Sequence, residues 1–503
     1  MPNDGVLIGI DLGTSSVKVL AVDGDGRIRG RAKHGYGMHR PSPGWVEQSP
    51  CHWWSAVRQA LAELSQQVDL AHTAGIGLSG QLNGLVLVDD TGSPLADAPI
   101  WLDQRATEQS RFLSDNWTDA IHTFALGTPG PIHSLAKLLW FLDNAPELIA
   151  NTHKLLFPKD FITLKLTNQY VTDVSDAGAT LMLDLRQRQW AVPFLSELRI
   201  PLEILPTVHE SPDVVGTITA QAARETGLPQ GIPVVAGAGD MGALAVGTGV
   251  TTTRTACTTI GTAGHMALYC DTFPKHHEHG LWMMCHAVPG KYFWHGLVMT
   301  GGHCLAWFLE NFGQAEKARA SSQGHNAYDL LLDEAALVPP GSRGLLFLPF
   351  LDGAATPYHD STAKASFIGA TSHTDKATFT RAVLEGVAYN FRDSFELLTK
   401  LGYTVNEVQA GEGGSRHPLW PQIIAEVLGL PVNILSELDS SALGAAIIAG
   451  VGTGVWKDFS EATKLTIRTS KRIMPNPDHH ELYTKQYRQY QRAYAALQPL
   501  YKD

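Results

Sequence analysis

The sequence predicts a mixed α/β protein in two domains, and three observations carry that reading. A run of mostly β-branched residues, Val6 to Ile10, reaches a turn of small polar residues, Asp11 to Ser15, and resumes as Val17 to Val22. A similar phrase returns later, where Thr258, Thr259 and Ile260 lead into Gly261, Thr262, Ala263 and Gly264, and Met266 to Tyr269 continue. Between the two phrases an apolar strand pattern, Gly231 to Ala236, ends at Gly237, Gly239 and Asp240, and Met241 to Val246 reads as a helix. At 503 residues the chain has room for two large domains, taking roughly 100 to 200 residues as an ordinary domain. The repeated phrase suggests two related halves, residues 1–247 and 248–503.

The elements follow in order. Val6 to Val22 forms a β-hairpin, and Asp23 to Gly26 closes a second turn. Trp53 to Gln67 reads as a helix, Gly75 to Asp90 as strand, turn, strand, and Leu135 to Leu142 as another helix. In the second half Phe379, Val383, Val387, Phe391 and Phe395 recur every four residues, the apolar stripe of a long helix that stops near Gly402. A strand ending near Ala410 runs into Gly411, Gly413, Gly414 and Ser415, and a helix follows with Leu419, Trp420, Ile423, Ile424, Val427 and Leu428 on one side.

Composition bounds the function. Hydrophobic residues make up 44% of the chain and charged residues 17%, which excludes disorder. The net charge is −11 with no block of basic residues, so nucleic acid is not an expected partner. Five cysteines at wide spacings, without a CxxC pair, suit reduced thiols in a cytosol. No basic, apolar leader begins the chain and no long uncharged apolar stretch follows, so neither secretion nor a membrane span is expected, and the cytoplasm is the expected compartment.

Several positions could carry chemistry. A glycine-threonine turn between strands is ordinarily only a hairpin, but two such turns facing each other could clamp a triphosphate with their N–H groups. Asp11 before the first turn would repel phosphates unless Mg²⁺ lay between, because Mg²⁺ takes one or two carboxylates together with phosphate oxygens. Asp240, at a strand-to-helix turn, is either a helix N-cap or a general base for a hydroxyl nucleophile. No Walker A motif or GxGxxG fingerprint is present. His276, His277 and His279 surround Glu278 without HExxH spacing and read as a solvated loop rather than a metal site. Trp53, Trp54, Trp101 and Trp140 read as core before sugar-stacking surfaces.

Taken together, Asp11 to Ser15, Gly261 and Thr262, Asp240 in its Gly-x-Gly-Asp setting and the late glycine cluster resemble the FGGY family of carbohydrate kinases. The likeness spans nearly the whole chain and is nearest to the xylulose kinases. It includes Pro158, Lys159 and Asp160; Asp173, Ser175, Asp176 and Ala177; Asp184 and Trp190; His286, Pro289 and Gly290; Ala382 to Asp393; and Ser441 to Ala446.

The resemblance implies two ribonuclease H-like (actin/hexokinase-like ATPase) domains with ATP and sugar in the cleft between them, and phosphoryl transfer to a sugar hydroxyl, most readily that of D-xylulose. It gives Asp240 as catalytic base and Asp11 as the carboxylate near Mg²⁺. Gly13, Thr14, Ser15, Gly261, Thr262, Gly302, Gly413, Gly414 and Ser415 would hold the nucleotide. Gln81, Leu82, Asn83, Trp101, Asp103 and Met241 fall at the sugar. ATP, Mg²⁺ and a small sugar are the expected ligands, and a homodimer is the candidate assembly.

The departures gather at the sugar. Gln81, Leu82 and Asn83 stand where the subfamily carries Gln-Met-His, Leu102 replaces an asparagine after Trp101, and Met241 replaces one after Asp240. Ala354 and Ala355 replace a Glu-Arg pair, and Glu412 stands where glycine is usual. Ribulose, a tetritol or a deoxy sugar is the alternative acceptor. An actin-like nucleotide-binding protein and a sugar-sensing regulator are the readings from other classes.

Overall fold

The computed structural model describes residues 5–274 and 280–501. His276, His277 and His279 lie outside the described residues. The first half is built on β1 (Val6–Leu12), β2 (Ser16–Asp23) and β3 (Ile28–Gly35), followed by α1 (Pro50–Leu64) and β4 (Thr73–Gly80). After α2 (Ser134–Asn144) and α3 (Pro158–Thr167) come β5 (Val214–Thr217), β6 (Pro233–Val235) and α4 (Asp240–Gly247). Across the sheet the order is β3-β2-β1-β4-β6-β5, with Ala238–Gly239 pairing beside the end of β4. β1 is antiparallel to β2 and parallel to β4. Every residue of β1 is buried, as expected of a strand covered on both faces.

The second half carries β7 (Thr255–Ile260), β8 (Gly264–Cys270), β9 (Trp282–Cys285) and β10 (Tyr292–Val298), then α5 (Gly301–Phe312) and α6 (Lys376–Lys400). β11 (Glu407–Gly411), α7 (Leu419–Leu428), β12 (Val432–Leu435), α8 (Ser440–Gly452), β13 (Thr469–Ile473) and α9 (Pro477–Tyr501) complete it. Its sheet runs β9-β10-β8-β7-β11-β12-β13.

Strand for strand, β10-β8-β7-β11-β12-β13 repeats β3-β2-β1-β4-β6-β5. Three strands are antiparallel, the next two are parallel to the third, and the last is antiparallel again. The repeated phrase in the sequence therefore marks the same hairpin in two like sheets. The strand patterns at 75–80 and 86–88 do not form a hairpin: β4 joins the large sheet, while Val86–Val88 pairs with Lys154–Leu156 in a separate ribbon.

The halves meet along α4 and α8. A Cβ on Gly444 would lie 1.9 Å from Ala243 O, and one on Gly9 would lie 2.0 Å from Ala442 O. Glycine at these two places lets α8 lie directly on α4 and on β1, so a helix late in the chain packs against the sheet of the first half. Ser441 Oγ donates to Asp240 O at 3.3 Å across this seam. Among the described residues no helix is long and apolar enough to cross a membrane.

Candidate functional site

The site is assembled from the ends of corresponding strands. β1 and β2 place Asp11, Gly13, Thr14 and Ser15 at one sheet end, and the neighbouring parallel strand β4 ends at Ser79, Gly80 and Gln81. Neither Gly13 nor Gly261 takes a positive φ, so neither hairpin needs glycine for its backbone conformation. A Cβ on Gly13 would meet nothing closer than Ser16 O at 3.4 Å. Gly13 thus leaves open space beside the turn's N–H groups, which suits close approach of an anion.

The first turn is braced by side chains that its own sequence does not announce. Gln81 Nε2 donates to Gln48 Oε1 at 2.8 Å, Gln48 Nε2 donates to Thr14 O at 2.7 Å, and Trp101 Nε1 donates to Thr14 Oγ1 at 2.9 Å. The Tyr36 hydroxyl donates to Gly13 O. Gln48 and Tyr36 have no local signal; only the fold brings them to the turn. Trp101 is half-buried and faces the first turn, while Trp53 and Trp54 are core, as the sequence suggests.

Asp240 is the first residue of α4, and Gly239 rather than Asp240 holds the N-cap position. Burial pushes its carboxyl up to about 8, the negative charge of Asp11 adds to the rise, the Met241 N–H opposes it, and Glu412 contributes last. Asp11 is buried too, and burial raises its carboxyl while the charge of Lys18 and a 2.8 Å hydrogen bond from Ser79 Oγ lower it. Among the described residues neither carboxylate forms an ion pair. Asp11 is a desolvated hard-oxygen donor whose charge raises Asp240 and which forms no ion pair among the described residues, so it fits Mg²⁺, which would relieve that repulsion.

The acceptor positions behave differently from one another. Leu82 packs on Gly239, with Leu82 Cδ2 2.2 Å from where that glycine's Cβ would be, and joins Met241 and Met284 in one apolar cluster. Asn83 takes φ 60°, its Oδ1 accepts from Ser134 N at 3.3 Å, and its carbonyl accepts from Lys137 Nζ at 2.7 Å. Leu82 and Asn83 line a cavity of about 100 Å³ together with His133, Trp282, Met284 and His295 from both halves. Asp103 is fully buried, and its carboxylate receives Val46 N, Arg105 N and the Arg105 guanidinium. With its oxygens so engaged it braces the Trp101 loop, and the expectation that it contacts sugar gives way to a positioning role.

In the second half, Gly261, Thr262, Gly302, Gly413 and Gly414 line one cavity of about 640 Å³ with Tyr328, Arg416 and Trp420. A Cβ on Gly302 would lie 2.1 Å from Gly261 O, and one on Gly414 would lie 2.5 Å from Ile260 Cβ. These glycines let the start of α5 and the turn after β11 close on the Gly261 turn. Gly302 N also donates to Gly261 O at 3.1 Å. Ser415 departs from expectation: it is buried, and its Oγ donates to Gly411 O at 3.0 Å rather than facing the cavity.

Residues 6–247 match the N-terminal domain, and residues 256–453 the C-terminal domain, of the FGGY family of carbohydrate kinases. A xylulose kinase of Staphylococcus epidermidis is 31% identical, over 99% of this chain and 98% of that protein. The crystal structure of a xylulose kinase from Rhodospirillum rubrum superposes with a TM-score of 0.89 at 30% identity, covering 99% of this chain and 100% of that one. A gluconate kinase structure from Lactobacillus acidophilus also reaches 0.89, at 25% identity over 98% of each chain.

Proposed function

Since the chain belongs to the FGGY family of carbohydrate kinases, we propose that it transfers the γ-phosphoryl group of ATP to a hydroxyl of a ketopentose, D-xylulose foremost, with Asp240 as general base. The observation that carries this reading is the placement of Asp240: it sits on the first turn of α4, close enough to Asp11 for that carboxylate's charge to raise its pKa.

The acceptor hydroxyl gives its proton to Asp240 Oδ as its oxygen forms a bond to the γ-phosphorus. The bond from that phosphorus to the β–γ bridging oxygen breaks, and ADP leaves with the electron pair. Asp11 would hold Mg²⁺, which would supply charge neutralisation at the phosphate oxygens. Gly13 N and Gly261 N already donate to Ser16 O and Ala263 O, so the N–H groups of Thr14, Ser15 and Thr262 hold the phosphate chain without reorganising as charge shifts. Adenine and ribose take the 640 Å³ cavity behind Gly302 and Gly414. Residues 1–247 and 248–503 act as the two domains, and closure of the cleft excludes water as a competing acceptor.

A second acceptor class is favoured by one specific feature. The 100 Å³ cavity is lined by Leu82, Met284 and Trp282, with Asn83, His133 and His295 as its polar members, and Met241 joins Leu82 in one apolar cluster. A wall of this kind offers few partners to sugar hydroxyls and suits a ligand with fewer of them, such as a deoxy sugar or a short polyol. That two relatives named for different acceptors superpose equally well means that the fold does not choose between these readings.

The deciding experiment is Mg²⁺- and ATP-dependent ADP release across ketoses, aldoses, polyols, sugar acids and deoxy sugars, each against an acceptor-free control. D-xylulose far above the rest supports the first reading; a deoxy sugar or polyol above D-xylulose supports the second. No acceptor-stimulated release from any of them would contradict both.

A further inference from the structure

A third carboxylate faces the proposed phosphate site, and the mechanism above leaves it unused. Glu412 directly follows β11, which runs parallel to β7 with Gly411 opposite Thr259, so Glu412 stands beside the Gly261 turn. Its Oε2 lies 3.1 Å from the point a Cβ on Gly261 would occupy. The residue holds φ at 60°, a region that favours glycine, so its backbone is strained by carrying a side chain at all.

Not every oxygen around it is satisfied by protein. Glu412 Oε2 and Ser440 Oγ are buried without a hydrogen-bond partner, and Ser440 is 2% exposed; the Thr259 hydroxyl faces the Glu412 carboxylate and lowers its pKa. Ser440 Oγ lies 3.2 Å from where a Cβ on Gly411 would be, and Thr259 Cγ2 lies 3.4 Å from the same point, so both side chains close on this turn. Buried polar atoms are ordinarily paired, and a buried carboxylate oxygen and a buried hydroxyl left without partners at one turn indicate a missing ligand. The charged groups facing Glu412 are Lys18, Asp11, Asp439 and Asp240. Lys18 spends its ammonium on Asp439 at 3.1 Å and forms no ion pair with Glu412.

Among the described residues only His39, Glu47 and Asp97, in an exposed ion-pair group elsewhere, bring three donor atoms within 4.8 Å of one another. Asp11, Asp240 and Glu412 therefore do not share a single ion. A triphosphate entering beside three carboxylates and one already paired lysine meets more negative charge than one divalent cation offsets.

Resting on the kinase reading, we propose that Glu412 binds a second divalent cation, held between its carboxylate and the phosphate chain of ATP on the Gly261 side, apart from the cation at Asp11. The hard-oxygen donor set assigns this ion to the Mg²⁺ or Mn²⁺ class.

The test titrates Mn²⁺ onto the protein with one equivalent of the non-hydrolysable ATP analogue AMP-PNP and reads free Mn²⁺ by electron paramagnetic resonance. The expected result is two Mn²⁺ per chain for the wild type and one for Glu412→Gly, with the second site weakened at least tenfold in Glu412→Gln. Glu412→Gly suits the backbone, which safeguards its folding, and thermal unfolding of both variants checks it. One Mn²⁺ per chain in the wild type, or two retained in Glu412→Gly, overturns the second site and leaves the kinase reading standing. Absence of any nucleotide-dependent Mn²⁺ binding overturns both.

Discussion

The two glycine-threonine hairpins occupy the same place in like sheets, yet they are equipped differently. The turn between β1 and β2 is led by a carboxylate, Asp11, and held by hydrogen bonds from Gln48, Trp101 and Tyr36. The turn between β7 and β8 is led by apolar Ile260 and held by close backbone packing, with Gly302 against Gly261 O and Gly414 against Ile260. One turn is a charged, side-chain-braced station and the other a bare backbone cradle opening into the larger cavity. The lesson is that shared topology supplies two like turns, and under the proposed kinase reading the residues at the strand ends decide which meets the reacting phosphoryl group and which meets the nucleotide.

That contrast can be broken from either side. The largest effect is expected at Asp240, whose proposed proton-accepting role belongs only to the charged side. Asp240→Asn should lower kcat by about 10² to 10⁴ while the AMP-PNP dissociation constant, measured by calorimetry, changes less than about threefold. Next comes the backbone cradle. Gly302→Ala forces a Cβ to within 2.1 Å of Gly261 O, so it should cost about 1–3 kcal/mol, read as a raised KM for ATP with the acceptor KM unmoved.

A smaller effect is expected at the acceptor wall. Met241→Asn restores a hydrogen-bonding side chain beside Leu82 and should shift the ratio of kcat/KM for D-xylulose to that for a deoxy sugar by about tenfold toward D-xylulose. An unchanged ratio would remove Met241 from the acceptor contacts.

The smallest prediction concerns Lys137, which holds Asn83 and Ile132 by their carbonyls at 2.7 and 2.6 Å. Burial lowers its pKa to about 7, against an opposing contribution from Asp103 and a supporting one from Arg105. Between about 7 and the unfolded-chain value near 10.4 the unfolded chain binds more protons than the folded one, so stability rises with pH there, by at most about 1.4 kcal/mol per unit. Melting temperatures across that range should show the rise in the wild type and lose it in Lys137→Met. The same variant should raise the acceptor KM more than it lowers kcat.

Both hairpins, the Asp240 turn, α6 and α7 were legible because each rests on local pattern: period-two strands, glycine turns and a four-residue apolar stripe. What stayed hidden was non-local. Val86–Val88 pairs with residues about 70 positions away, and no spacing rule separates it from β4 as a hairpin partner. Asp103 falls at the sugar only through the family resemblance, and only the placement of Arg105 and Val46 N shows its carboxylate engaged. Glu412 was visible as a departure from the family pattern, but its direction toward Gly261 required the register of β11 on β7.

The central claim is that both turns grip one phosphate chain. A double-mutant cycle tests it directly, with Thr14→Ala, Thr262→Ala and the combined variant compared in kcat/KM for ATP at saturating Mg²⁺ and acceptor. A shared ligand predicts a coupling energy of roughly 0.5–3 kcal/mol between the two changes. Additivity to within about 0.3 kcal/mol would mean that the turns serve separate ligands and would contradict the account.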